Sequence, residues 1–138
     1  MRPFELIEHT ADIGVRAFGA TREEVFENAA AGMFSIITDT AGVREQECVE
    51  MRLEAGDLET LLVEWLNELL YLSDSRGLLF ERFEIRKLGE TYLEASACGE
   101  QADSERHELK TDIKAATYHM LKVTETPNGW QAEVIFDI

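Results

Sequence analysis

The spacing of apolar and polar positions predicts strands and helices that follow one another closely along the chain. In residues 4–19, FELIEHTADIGVRAFG, short apolar and β-branched pieces are interrupted at Thr10 to Asp12 and end at Gly19. This pattern predicts two strands joined by a turn. Residues 21–37 place apolar side chains at helical spacing behind Thr21 and Glu24, which are spaced as a capping box. We therefore predict a first helix over this second segment.

A second helix is predicted over residues 57–74, DLETLLVEWLNELLYLSD, with Asp57 as its N-cap. One broad apolar stripe runs along this segment, formed by Leu58, Leu61, Leu62, Trp65, Leu66 and Leu69. A stripe of this width is typical of a helix that packs on a core, and we expect a core role rather than a cofactor pocket. Residues 47–55, ECVEMRLEA, alternate apolar and charged positions before Gly56 and predict a strand.

The second half of the chain is dominated by hairpin signals. Residues 80–88 and 91–100 alternate on either side of Gly89, and the turn sequence PNG separates two alternating runs within residues 121–138. Residues 108–121, ELKTDIKAATYHML, carry a short helical pattern instead. Because hairpins force antiparallel neighbours, we predict an α+β fold. It would be a two-layer single domain in which a largely antiparallel or mixed β-sheet packs against about three helices.

Composition and charge narrow the class of partner. The chain has 138 residues, of which 45% are hydrophobic, and this suits one domain over residues 1–138. The formal net charge of −15 repels phosphate backbones, so we expect no direct nucleic-acid binding. The same field would steer the protein toward a basic partner, such as a protein that itself handles RNA or DNA. The alternative is that the charge serves solubility alone.

The sequence also bears on compartment and on cysteine chemistry. No run of about 18 apolar residues is present, and the first residues lack the apolar stretch of a signal peptide. We expect a cytoplasmic protein with no membrane partner. Cys48 and Cys98 lie far apart and form no CxxC pair, so free thiols in packing roles are expected rather than a disulfide or a zinc site.

Acidic groups at the two ends of the chain could form a site for a hard cation. Asp137 lies on the opposite face of the last predicted strand from Trp130, and the α-carboxylate of Ile138 adds a second anion beside it. Asp12, in a turn near Gly14, could provide a further carboxylate oxygen of the kind that Mg²⁺ and Ca²⁺ prefer. The alternative is structural, with Asp12 capping a turn and Asp137 solvated at a strand end.

Other candidate groups are fewer, and motifs of common enzyme classes are absent. His9, His107 and His119 show no spacing typical of zinc ligands. Lys114, in the predicted third helix, could meet a phosphate or an acid, or could equally form a surface ion pair. No phosphate-binding GxxxxGK[ST] loop or GxGxxG motif occurs, and no Ser–His–Asp arrangement can be argued. We therefore assign no catalytic residue.

Four short motifs follow one another along the chain: HTADIG near the start, EWLNELLY in the second helix, IKAATYH late in the chain, and FDI at residues 136–138. Together and in this order, they resemble the archease family. The resemblance implies the archease fold and a protein that activates the RtcB-type RNA ligase of tRNA splicing. Such proteins promote guanylylation of the active-site histidine of the ligase, support its multiple turnover, and broaden the nucleoside triphosphates that it accepts. They are not enzymes themselves.

The resemblance also implies a divalent metal, which is calcium in family members, with magnesium and manganese as alternatives. Carried over by motif, the metal ligands are Asp12, Asp137 and Ile138. Further matched positions, carried as functional candidates, are Asp39 in ITDT, Lys114, His9 and His119. Two other classes of function stay open: a metal-dependent hydrolase that uses the same acids to activate water, and a general folding modulator that does not need the acids.

Overall fold

All strand pairings in the described part of the protein are antiparallel, and they form two sheets. The computed structural model describes residues 2–8 and 12–138. The strands are β1 (Phe4–Glu8), β2 (Ile13–Gly19), β3 (Glu47–Glu54), β4 (Leu78–Leu88), β5 (Tyr92–Gln101), β6 (Ala115–Ala116), β7 (Lys122–Thr126) and β8 (Gly129–Asp137). One sheet has the order β1-β2-β8-β6, with β7 also paired to β8, and the other has the order β3-β5-β4. The helices are α1 (Arg22–Ile37) and α2 (Leu58–Arg76).

Helix α1 begins where the capping signal predicted and packs against both sheets. The side chain of Thr21 accepts a hydrogen bond from the Glu24 amide at 3.1 Å, which satisfies one of the free N–H groups of the first turn. Phe34, fully buried, meets Phe80 of β4 edge to face with ring centroids 5.6 Å apart. Gly32 allows α1 to approach β2 closely, because a Cβ atom at this position would lie only 2.8 Å from Val15 Cγ1.

Helix α2 buries the predicted stripe and ends at a glycine. Asp57 caps its first turn by accepting from the Thr60 amide at 2.7 Å, and Gly77 ends the helix in the left-handed conformation with φ 65°. Trp65 is fully buried, and its indole N–H donates to the main-chain oxygen of Phe26 at 3.0 Å. This bond ties α2 to α1. Over the described residues neither helix is long and apolar enough to span a bilayer.

The α+β class is therefore confirmed, but the predicted third helix is wrong. Residues 108–121 contain the two-residue strand β6 between irregular segments, and the remaining helical element is a single 3₁₀ turn at Thr40–Gly42. Lys114 consequently lies on an extended segment rather than on a helix. The main chain here is held by hydrogen bonds to β8 and α2, and such tertiary partners override a weak local helical preference.

The expectation of free thiols is also wrong. Cys48 on β3 and Cys98 on β5 are directly opposite each other in the strand register and form a disulfide. They are separated by 50 residues in the sequence, with Cα atoms 4.0 Å apart. Spacing along the chain could not reveal this pair, because it depends on the register between two strands that enclose a helix and a further strand.

Candidate functional site

The register between β2 and β8 brings the two acidic ends of the sequence together. Ile13 pairs with Phe136 at the end of this register; Asp12 precedes Ile13 and Asp137 follows Phe136, so continuing the register by one residue would set the two acids opposite each other. Residues opposite each other in antiparallel strands have Cα atoms roughly 4.5–5.5 Å apart, with their side chains on the same face of the sheet. Two carboxylates in that relation repel each other unless a cation lies between them. Asp12 is half-buried and Asp137 is exposed.

The neighbouring rows of the same sheet face are arranged differently. Four residues further along β2, Arg16 lies opposite Glu133 and Glu5; its Nε donates to the Glu133 carboxylate at 2.7 Å and its Nη1 donates to Glu5, so these acids have a cationic partner. Between the two rows lies Gly14, where a Cβ atom would be 2.7 Å from the Ile135 side chain. Glycine therefore permits β2 and β8 to pack closely next to Asp12 and Asp137, the two residues that we call the acidic row.

The pairing of β6 with β8 brings Lys114 and Ile138 to this end of the sheet. Ala115 pairs with Asp137, and the Lys114 amide donates to the main-chain oxygen of Asp137 at 2.8 Å. Lys114 precedes Ala115 and Ile138 follows Asp137, so both residues adjoin the last pair of that register. Both residues are exposed. Within residues 2–8 and 12–138, no ion pair includes Asp12, Asp137 or Lys114.

Asn67 on α2 forms two hydrogen bonds to the main chain of β6. Its Oδ1 accepts from the Ala116 amide at 2.8 Å, and its Nδ2 donates to the Ala116 carbonyl at 3.3 Å. Ala116 is 4% exposed, so these main-chain groups have little access to water. The amide of Asn67 thus takes the place of a further strand beside β6. The only signal of this role in the sequence is a carboxamide directly beside the apolar helical stripe.

The segment between β5 and β6 is fixed by a buried polar cluster. Glu100 is 3% exposed, and its carboxylate accepts from Arg106 at 2.7 and 3.2 Å and from the Arg44 amide at 2.6 Å. The Arg106 guanidinium, followed by the Arg44 amide, lowers the pKa of Glu100 to about 2. His107 accepts from the Asp103 amide through Nδ1, so its Nε2 carries the proton and donates to Glu100 at 3.2 Å.

Asp39, His119 and His9 are the remaining predicted site residues. Asp39 is exposed and caps the 3₁₀ turn by accepting from the Ala41 amide at 3.2 Å, which is a structural role. His119 is exposed on the segment after β6, and its amide lies 3.3 Å from the Thr117 hydroxyl oxygen. His9 lies outside the described residues. The structure therefore brings Asp12, Asp137, Ile138 and Lys114 to one sheet end, and gives Asp39 a capping bond of its own.

The donor set at this sheet end suits a hard divalent cation. It offers the carboxylates of Asp12 and Asp137, which adjoin the Ile13–Phe136 pair, together with main-chain oxygens, and these are the ligands that Ca²⁺ and Mg²⁺ prefer. In the described part of the chain, no three His, Cys, Asp or Glu side chains group closely enough to hold a metal ion. Side chains alone therefore do not complete a site. A cation here would draw on the main-chain oxygens of Ile138 and on water, as magnesium commonly does.

A cleft of about 650 Å³ opens beside this sheet end. One wall is the C-terminal half of α2, and the other is the segment that leads into β6. Lys114, Ala115 and Asn67 line it, so the cleft is continuous with the groups described above. Tyr71 on one wall and Leu109 on the other are exposed by 65% and 64%, which is unusual for apolar side chains beside a cavity.

The fold and site together define a small α+β protein with an acidic row at the end of an antiparallel sheet. Residues 4–138 match the model of the "Archease protein family (MTH1598/TM1083)". The protein archease of Thermococcus gammatolerans is 46% identical over 142 residues, which cover 100% of both chains. That of Methanosarcina barkeri is 44% identical over 141 residues, with 99% of this chain and 97% of the relative covered.

Two solved structures agree with this assignment. The solution structure of Methanobacterium thermoautotrophicum protein 1598 superposes with a TM-score of 0.87 at 38% identity, and covers 100% of each chain. The crystal structure of a Thermotoga maritima protein, named "an archease, possible chaperone", has a TM-score of 0.66 at 27% identity. It covers 100% of this chain and 98% of its own. The chain belongs to the archease family, as the resemblance of its motifs predicted.

Proposed function

We propose that this protein activates an RtcB-type RNA-splicing ligase and has no turnover of its own. Its action would be to promote guanylylation of the active-site histidine of the ligase and its multiple turnover, and to broaden its use of nucleoside triphosphates. The observation that supports the proposal is the pairing of Ile13 with Phe136 and of Ala115 with Asp137, next to which Asp12 and Lys114 lie, in a chain of the archease family. That family membership supports the ligase as the partner.

The acidic row would act by presenting fixed charge to the nucleotide site of the ligase. Asp12, Asp137 and the main-chain oxygens of Ile138 would hold the divalent cation. When bound, such a cation supplies positive charge that can neutralise a triphosphate. Lys114, the residue before β6, would contribute a second positive group, since its exposed ammonium can contact a phosphate oxygen. Phosphoryl and nucleotidyl transfer depend largely on such positioning and charge neutralisation.

The overall charge supports the same partner class. A protein of net charge −15 is steered toward a basic surface and away from RNA itself. The ligase would therefore bind the RNA, while this protein approaches the basic region around the nucleotide site without competing for the phosphate backbone. Both proteins would meet in the cytoplasm, and no membrane surface is involved.

Single-turnover guanylylation of a purified cognate ligase tests the proposal. We expect the native protein to raise the rate, and Asp12→Asn, Asp137→Asn and Lys114→Ala to lower the maximal rate at saturating concentration. Glu54→Gln removes an exposed carboxylate at the C-terminal end of β3, in the other sheet. It is the matched control and should leave the rate unchanged. An unchanged ligase rate on addition of the native protein would refute the proposal.

The same preparations distinguish the two other classes of function. Hydrolysis of nucleotide or RNA by this protein alone, lost in both aspartate variants, would indicate a metal-dependent hydrolase. A gain in the soluble yield of the ligase that is identical for the native protein and the aspartate variants would indicate a folding modulator. Ligase concentration is therefore fixed by active-site titration before each rate is compared.

A further inference from the structure

We infer that the cleft between α2 and the segment leading into β6 is the docking groove for a segment of the ligase. The segment it fits carries an apolar side chain flanked by lysine or arginine. This inference rests on the proposed function, because it names the surface by which the same partner is held. The reasons lie in the shape of the cleft, in its chemistry, and in its position beside the acidic row.

Each wall of the cleft carries an exposed apolar side chain and, three residues later, an aspartate. On α2, Tyr71 is followed three residues later by Asp74, and on the opposite segment Leu109 is followed three residues later by Asp112. The floor is apolar and includes Leu70, Leu78 and Ile113, which are 8%, 1% and 6% exposed. The cleft therefore has an apolar floor with one exposed apolar side chain and one carboxylate on each wall.

That arrangement has the composition of a binding surface. Protein interfaces combine an apolar centre with a polar rim, and tyrosine is among the residues that contribute most to their affinity. Tyr71 and Leu109 keep 65% and 64% of their surface exposed although each borders a cavity of about 650 Å³. This volume accommodates several side chains, so a short segment rather than a single group is the matching occupant.

The carboxylates select a basic segment. Asp74 and Asp112 are both exposed, and neither forms an ion pair with any residue that the structure describes. Asp74 also lies in the last turn of α2, where the helix dipole disfavours a negative charge, so it adds nothing to helix stability. With the net charge of −15, these two acids complement lysine or arginine on the occupant.

The cleft is continuous with the acidic row, which gives docking a consequence for activation. Lys114 and Ala115 line the cleft, and the Lys114 amide bonds to the main-chain oxygen of Asp137. A ligase segment held between Tyr71 and Leu109 would therefore fix the sheet end beside the nucleotide site of the ligase. Substitutions in the groove should raise the concentration of this protein needed to activate the ligase. Substitutions of Asp12 or Asp137 should instead lower the maximal rate of the ligase.

Direct binding and activation are measured with the purified ligase and four variants of the full chain. Tyr71→Ala and Leu109→Ala remove the apolar contacts, and the double variant Asp74→Lys with Asp112→Lys reverses the charge of both walls. The control, Glu54→Lys with Glu90→Lys, changes the net charge equally but at exposed positions at the end of β3 and in the turn between β4 and β5. Because all the substituted side chains are exposed, each variant should fold, and its melting temperature is measured first.

We expect each groove variant to raise both the dissociation constant and the concentration for half-maximal activation by about tenfold or more, as central interface residues do. The maximal rate should stay at the native value, and the charge control should leave both constants unchanged.

Three outcomes would overturn the inference. The first is native dissociation constants in all groove variants. The second is equal weakening in the charge control, which would indicate long-range attraction alone. The third is a change confined to self-association of the chain in sedimentation, which would make a second copy the occupant. Binding without activation that is lost in the groove variants would instead retain the groove and reject the proposed function.

Discussion

Replacing Asn67 by leucine removes both hydrogen bonds between its side chain and Ala116, while keeping a side chain of similar volume between α2 and β6. Ala116 is 4% exposed, so its amide and carbonyl would be left without partners and with little access to water. Each unsatisfied buried group costs about 1–3 kcal/mol, so the two groups together cost about 2–6 kcal/mol. For a chain of 138 residues, this lowers the melting temperature by roughly 7–21 °C.

Hydrogen exchange at the Ala116 amide separates this mechanism from general destabilisation. The amide should be protected in the native protein and should exchange rapidly in Asn67→Leu. In Asn67→Asp the acceptor for that amide is retained and only the donor to the carbonyl is lost, so protection should persist. Because Lys114 lies two residues before Ala116, the leucine variant should also lower the maximal rate of ligase guanylylation.

Asn28 provides a matched control. It too lies on a helix and donates its side-chain amide to a main-chain carbonyl, that of Phe18, at 2.6 Å. Phe18 lies near the end of β2 remote from Asp12, so Asn28→Leu should lower stability without changing exchange at Ala116. The reasoning fails if Asn67→Leu loses less than about 0.5 kcal/mol, which is within the usual range for surface substitutions, and keeps the Ala116 amide protected.

Three further predictions concern other parts of the molecule. Arg106 lowers the pKa of Glu100 from its ordinary value of 4.5 to about 2. The ionised Glu100 therefore stabilises the fold fully at pH values above 4.5, and this stabilisation is lost as the pH falls from 4.5 to about 2. The melting temperature of the native protein should therefore exceed that of Glu100→Gln at pH 7, and the difference should vanish as the pH falls through 2; a constant difference would contradict this. The Cys48–Cys98 disulfide closes a loop of about 50 residues, so its loss in the double serine variant should cost up to about 4 kcal/mol in urea unfolding, and equal stability would exclude it. Appending Gly-Ser to Ile138 in the 138-residue chain replaces a carboxylate by an amide and should weaken calcium binding in a calorimetric titration, whereas unchanged affinity would show that this carboxylate is dispensable.

Local signals predicted most of the elements well. The N-caps Thr21 and Asp57 were readable because a capping side chain bonds within its own first turn. The PNG turn likewise fixed the hairpin of β7 and β8, since the turn joins neighbouring residues. Residues 108–121 were misread as a helix because their main-chain partners, on β8 and α2, are distant in sequence.

The site depended more on register than on local pattern. The resemblance of the motifs led us to expect Asp12 and Asp137 together, and the pairing of Ile13 with Phe136 agrees with their proximity. That they bind a cation stays a prediction. The bracing of β6 by Asn67 and the pairing of Cys48 with Cys98 could not be predicted, because each needs the relative placement of elements far apart in the chain.

The central claim is that Asp12 and Asp137 share one divalent cation, and calorimetric titration of the purified protein with calcium tests it most directly. We predict one site in the native protein and in Glu54→Gln, and no measurable binding in Asp12→Asn or in Asp137→Asn. At a free calcium concentration of about 100 times the dissociation constant, the ion should also stabilise the native fold by about 2.7 kcal/mol. Equal calcium affinity in the native protein and in the double asparagine variant would contradict the account.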